Sequence, residues 1–315
     1  MTSIHSNHTI HSKFHHFGWD NSIEPVKYVK SGETVEIETV DSSGGQITIN
    51  STIKDIEKLD FSKVNPVSGP IYVENANVGD VIEIEILQLK TSGWGWTAII
   101  PGFGLLNDDF KNADLNIWKY DKNEPKESLF SNLAKIPLKP FIGTIGLALE
   151  EKGNHSIVPP RKCGGNLDIK DMSVGTILRL PVQVKGGLLS LGDTHAAQGD
   201  GEVCGTAIES PMIATIKINL LKNKIIKEPQ FETFNSNYTQ IDNKGYYVTT
   251  GIGPDLFESS KNSLKSMINL LIQKQNISEN QAYMLSSVCA DLRISEIVDA
   301  PNWVISCYFP KSIFI

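Results

Sequence analysis

Hydrophobic and polar residues along this chain alternate with period two over several long runs. Val35 and Ile37 alternate with Glu36 and Glu38, and Ile82, Ile84 and Ile86 alternate with Glu83 and Glu85. Successive side chains of a strand point to opposite faces, so each run predicts a strand with one buried face. Strand-like apolar runs follow at 141–149 (FIGTIGLAL), 177–184 (ILRLPVQV), 212–221 (MIATIKINLL), 245–253 (GYYVTTGIG) and 304–309 (VISCYF). Glycine, proline and serine clusters, such as Ser43-Gly44-Gly45 and Pro66 with Gly69 and Pro70, mark turns between strands. Strand, turn, strand is the recurrent unit. It predicts an α+β chain that is mainly β, with a β-sandwich or jelly-roll-like core.

The period changes after residue 221. Pro254 suits the first position of a helix, and Phe257, Leu264, Ile268 and Leu271 fall on one face at helical spacing. A second helix is expected from Ser278-Glu279-Asn280-Gln281, a capping-box pattern. Its apolar face would be Ala282, Leu285, Cys289 and Leu292, and it would end at Asp291-Leu292-Arg293. Residues 50–63 read as a short polar connection or helix. The polar, lysine-rich 107–135 reads as a surface excursion. It places a seam between two β-rich parts, 1–135 and 136–315, which could pack as one joined unit.

Composition narrows the class. The chain has 315 residues, 40% hydrophobic and 21% charged, in the range of globular proteins. Its net charge of −7, without a basic block, would repel a phosphate backbone, so nucleic acid is not an expected partner. No apolar run reaches the length of a membrane span, and 1–16 lacks the apolar centre of a secretory signal. Four cysteines with no CxxC pair fit reduced thiols in a cytoplasmic protein.

Candidate chemistry concentrates in 186–212, GGLLSLGDTHAAQGDGEVCGTAIESPM. If the apolar run is a strand, Asp193 and His195 point the same way. A carboxylate and an imidazole side by side suit a divalent metal, or an acid/base pair in which the Asp fixes the His tautomer. Gly199-Asp200-Gly201 is a turn signal. Beyond it, Glu202, Cys204 and Thr206 would share one face of a returning strand, with Glu209 on the other. The plainer alternative is a solvated hairpin, with Cys204 a small buried hydrophobe. Further residues could reach such a site. His16 lies beside Phe17 and Trp19. Asp41 sits just past a strand, where an Asx turn is the competing role. Trp94, Trp96 and Phe103 could wall a small pocket, and Asn166 and Asp168 alternate in register.

The run GDTHAAQGDGEVCGTAIESPM resembles the signature of the acetamidase/formamidase family. Other segments resemble that family in the same order: HHFGWD at 15–20, ETVDSSGGQI at 38–47, NPVSGPIYVENANVGD at 65–80, GWGWTAIIPGFGLL at 93–106, PPRKCGGNLDIKD at 159–171, GIGPDL at 251–256 and AYMLSSVCADLRISEIVDAPNW at 282–303. The resemblance spans nearly the whole chain. It implies hydrolysis of formamide or another short aliphatic amide to the acid and ammonia, with dependence on a metal.

Two routes follow for such a reaction. In one, Asp193 and His195, with His16, Asp41 or Glu209, hold a divalent metal that activates water, and Glu202 moves the proton. Zinc is the first candidate for hydrolysis, and calcium suits a carboxylate-rich neighbouring site. In the other, Cys204 attacks the amide, with Glu202 or His195 as base. Asn166, Asp168 and Trp96 are the expected substrate-binding residues, a small amide the expected partner, and a homo-oligomer the expected assembly. The reading from a different class is a β-sandwich binding module whose metal is structural.

Overall fold

In the computed structural model, residues 5–104, 111–130, 134–202, 204–234, 244–277, 282 and 290–314 are described. Among them the chain forms two large sheets. One has nine strands in the order His8–Ile10, Thr34–Glu38, Met212–Leu221, Val81–Thr91, Ile177–Pro181, Gln230–Glu232, Tyr246–Gly253, Trp303–Pro310, Asp291–Glu296. The other has Gly164–Asn166, Phe141–Gly146, Leu189–His195, Val67–Val73 and His15–His16 in order, with Lys27–Val29 running parallel beside Val67–Val73. Both sheets mix strands from before and after residue 135.

The period-two runs decide which side chains meet. Val35, Ile37, Ile82, Ile84 and Ile86 are fully buried, while the intervening glutamates keep contact with solvent. Ile37, Ile84 and Ile216 of the first sheet join Ile71, Ile145 and Leu191 of the second in one apolar cluster. A core drawn from two sheets is a sandwich, as the alternation predicts. Each such side chain contributes about 1.5–3 kcal/mol by leaving water.

Leu189–His195 lies at the centre of the second sheet, between Phe141–Gly146 and Val67–Val73. All seven of its residues are buried, so it reads as a continuous apolar run until its polar end. The sheet extends past that end through one residue. Glu209 exchanges backbone hydrogen bonds with Trp96 (2.8 and 2.9 Å) and bridges to His195, which ties in the pair Trp94–Ile99 and Asp114–Lys119.

Among its described residues the polar 107–135 holds the strands Asp114–Lys119 and Glu127–Phe130, the latter paired with Ala134–Pro137. Three expectations for the C-terminal part are corrected. The C-terminal helix is Leu256–Gln275, and Asp255 rather than Pro254 begins it, accepting the Glu258 amide at 2.8 Å. Its buried face is Ser259, Ser263, Met267, Leu270 and Leu271, whereas Phe257 is exposed. The start proposed for a second helix at 278–281, with Leu285 and Cys289, lies outside the described residues; Ala282 is buried. Asp291-Leu292-Arg293 does not end a helix. It opens the strand Asp291–Glu296, which pairs antiparallel with Trp303–Pro310. Among the described residues no helix is long and apolar enough to cross a membrane.

Candidate active site

Asp193 and His195 sit at the polar end of Leu189–His195, and both are buried. Simple alternation is not what joins them. Asp193 has a φ of 44°, in the left-handed region, which bends the strand end and brings its Oδ1 to 3.0 Å from His195 Nε2. Glu209 Oε2 lies 3.2 Å from the same nitrogen, and Asp168 Oδ1 lies 4.0 Å away. Gly143 makes room for this meeting. A Cβ there would stand 2.6 Å from Asp168 Oδ1 and 3.0 Å from His195 Cε1.

The tautomer of His195 follows from its other side. Gln198 Nε2 donates to the Asp168 carbonyl (2.8 Å), so Gln198 Oε1 faces His195 Nδ1 at 3.0 Å and must accept its proton. Nε2 is thereby aimed at three carboxylates, which favour a positive charge there, as a second ring proton or as a cation bound to the neutral imidazole. Burial alone would lower the His195 pKa, but Glu209 and Asp193 outweigh it and push it well above its ordinary value. Burial alone would raise Asp193, but His195 outweighs it and holds it below the usual carboxylate range.

Two more buried carboxylates join Asp168 beside this core. Asp168, Glu202 and Asp299 place ligand atoms within 4.8 Å of one another. Burial, then neighbouring carboxylates, pushes all three well above the usual range. Glu296 stands behind Asp299 and accepts its amide at 2.6 Å; burial pushes Glu296 up to about 7. Both oxygens of Asp168 and the Oε2 of Glu296 have no hydrogen-bond partner. Buried carboxylates without donors are costly unless a cation meets them. The donor set, one imidazole among oxygens, fits a divalent metal.

Backbone strain marks the same residues. Asp168 (φ 45°), Asp193 (φ 44°) and Glu202 (φ 46°) are all left-handed. Such conformations cost side-chain-bearing residues about 1–3 kcal/mol and cluster at functional sites.

Asp168, Asp193, Glu202, Glu209 and Asp299 line a cavity of about 190 Å³ together with Trp96, Asn166, Ile100 and Phe103. Asn166 donates to Asp299 and lies beside Thr144, whose hydroxyl is 3.2 Å from Asp193 Oδ2. The structure thus brings together Asp193, His195, Glu209, Glu202, Asn166, Asp168 and Trp96. It does not bring in His16, whose nitrogens are taken by the Gly18 carbonyl (2.8 Å) and Ser190 Oγ (3.0 Å). Asp41 is not among the clustered ligand groups either. Its Oδ1 accepts from Trp96 Nε1 (3.0 Å) and from both the amide and the hydroxyl of Ser43, so it positions the indole. Cys204 lines a neighbouring hollow of about 370 Å³, and its Sγ points to the Thr206 carbonyl at 3.3 Å. Among the described residues here, Glu202 and Cys204 to Thr206, none lies on a strand; Glu202 and Gly205 are held by turn hydrogen bonds. Thr144, Glu296 and Asp299 stand at this cluster and were not selected from the sequence, whereas Gln198 lies in the 186–212 stretch that was.

A profile of the acetamidase/formamidase family matches residues 3–155 and 149–315. The chain belongs to this family. It is a hydrolase acting on linear amide C–N bonds. A formamidase of Methylophilus methylotrophus is 29% identical, over 95% of this chain and 89% of that protein. Among solved structures, an acetamidase from Bacillus halodurans is 32% identical and covers 96% of both chains with a TM-score of 0.85. A predicted acetamidase/formamidase from Thermoanaerobacter tengcongensis is 27% identical, covering 97% of this chain and 96% of that one, with a TM-score of 0.87. This amidase therefore shares its fold with the two solved relatives over nearly its whole length.

Proposed function

We propose that this amidase hydrolyses short aliphatic amides to the carboxylic acid and ammonia with water as the nucleophile. The observation that carries this is the convergence of Asp193, Glu209 and Asp168, which line a cavity, on His195 Nε2. Asp193, His195, Glu209 and Asp168 would hold a divalent cation, with zinc the first candidate and calcium the second. Such a cation supplies polarisation of the amide carbonyl and a lowered pKa for water.

The chain's own residues do the rest. Gln198 fixes the His195 ring through Nδ1, and Thr144 steadies Asp193. Glu202 is the acid/base. Its raised pKa puts it nearer the working pH of a proton carrier than an ordinary glutamate. Its carboxylate accepts the proton of the attacking water as the new C–O bond forms. It returns that proton to the amide nitrogen as the C–N bond breaks, and ammonia leaves. The apolar wall around Trp96 and Phe103 excludes bulk water, which strengthens each of these interactions.

The test is ammonia release from formamide and acetamide, before and after dialysis against a chelator and after return of Zn²⁺ or Ca²⁺. Full turnover by metal-stripped protein would sink the reading. The proposal includes a cytoplasmic setting, in keeping with free thiols at Cys163, Cys204 and Cys307, and a homo-oligomer, which light scattering would measure.

A further inference from the structure

We infer that the site takes carboxamides with an acyl chain of roughly four to six carbons in preference to formamide. This rests on the amidase reading and names its substrate more closely. The cavity lining combines carboxylates, a few neutral polar residues such as Ser42, Asn65 and Thr206, and an apolar wall. The carboxylates gather about His195, as above. Opposite them in chemistry stand Leu59, Val64, Trp96, Ile100, Phe103 and Val158. Leu59, Trp96, Ile100 and Phe103 belong to one apolar cluster. Trp96 adds only apolar surface, because its indole N–H is already spent on Asp41.

The apolar wall is built before any substrate arrives. Asn65 donates its amide to the Ser42 carbonyl (2.7 Å), and Asp60 donates its amide to Gln46 Oε1 (2.9 Å). These bonds fasten Leu59 and Val64 onto the loop that carries Asp41 to Ile47. Ile100 and Phe103 are joined by a turn hydrogen bond of 3.0 Å. A wall fixed in this way costs a ligand little ordering on binding.

Size then selects the occupant. The cavity measures about 190 Å³. An apolar cavity of about 150 Å³ is enough to bind benzene, with its six carbons. Formamide has only a hydrogen where other amides carry their acyl chain. Seated with its amide at the carboxylates, it would leave the apolar wall against water. Each methylene added to the acyl chain covers more of that wall and is worth about fourfold in affinity.

The experiment is kcat/KM for formamide, acetamide, butyramide, valeramide and octanamide, read as ammonia release by the metal-loaded protein. The expected series rises about fourfold per carbon, puts valeramide roughly 60-fold above acetamide, and falls again at octanamide. Val64→Phe should move the optimum to shorter chains, and Ile100→Ala to longer ones, with thermal melting reporting that each variant folds. Two variants with opposite expected shifts keep the test decisive if one fails to fold. Fastest turnover of formamide, or an optimum that neither variant moves, would overturn the inference and leave the amidase reading standing. Ammonia from no amide in the series would overturn both.

Discussion

Glu202 illustrates how one residue is made functional by its surroundings. It is buried among carboxylates on a left-handed backbone, so its proton affinity is raised and its position fixed. Glu202→Gln keeps the shape and removes the proton carrier. We expect kcat to fall by about 10²–10⁴ in the ammonia assay. Cys204→Ser, in the neighbouring hollow, should stay within about twofold of wild type. Much of this site was legible in the sequence because Asp193, His195, Glu202 and Glu209 lie within one short stretch. Their convergence was legible only in part: period two suggests it, but a left-handed Asp193 achieves it. Asp299 and Glu296 were missed, since about a hundred residues separate them from His195. The alternation in Asp291-Leu292-Arg293-Ile294-Ser295-Glu296 was the available signal. It misleads about direction, because Leu292 and Ile294 face outward and Ser295 and Glu296 inward. His16 and Asp41 drew attention by type and position, yet both His16 nitrogens and Asp41 Oδ1 are engaged in hydrogen bonds away from the carboxylate cluster.

At the scale of elements, Glu232 pins the C-terminal helix and last strand to the large sheet. On Gln230–Glu232, it meets Arg179 Nη1 at 2.7 Å, Lys311 at 3.1 Å and Lys274 of Leu256–Gln275 at 3.4 Å. Burial alone would raise its pKa, but Arg179, then Lys311 and Lys274, outweigh it and hold it at about 2. A carboxylate depressed in the folded state stabilises fully above its unfolded pKa, near 4.5, and loses that contribution as pH falls toward 2. The contribution is on the order of 2–3 kcal/mol. Urea melts should show stability dropping across that window, and Glu232→Gln should flatten the drop. The same helix depends on Gly251, where a Cβ would stand 1.9 Å from the Ser259 carbonyl oxygen. Gly251→Ala should cost about 2–3 kcal/mol in the same melts. The strand series was predictable because one-sided burial imposes period two. The helix face was predictable in part: Leu264, Ile268 and Leu271 pack on an apolar cluster as their spacing predicts, whereas Ser259 and Ser263 are buried by close approach to the strand rather than by hydrophobicity.

For the whole molecule, the main hazard is negative charge buried in one place. Six carboxylates surround a single imidazole, and burial and one another dominate the proton affinities of Asp168, Glu202 and Asp299. A cation bound to the folded chain alone would stabilise it by mass action. Chelation should therefore lower Tm by several degrees as well as abolish turnover, and returning the cation should restore both. An unchanged Tm would argue against a buried cation. The left-handed trio of Asp168, Asp193 and Glu202 carries a lesson for anyone seeking a hardier catalyst. Glycine would relax each of those joints, so Glu202→Gly should make the protein melt about 2 °C higher while ending its chemistry. A screen that rewards heat tolerance alone would thus tend to breed well-folded, inert descendants of this enzyme.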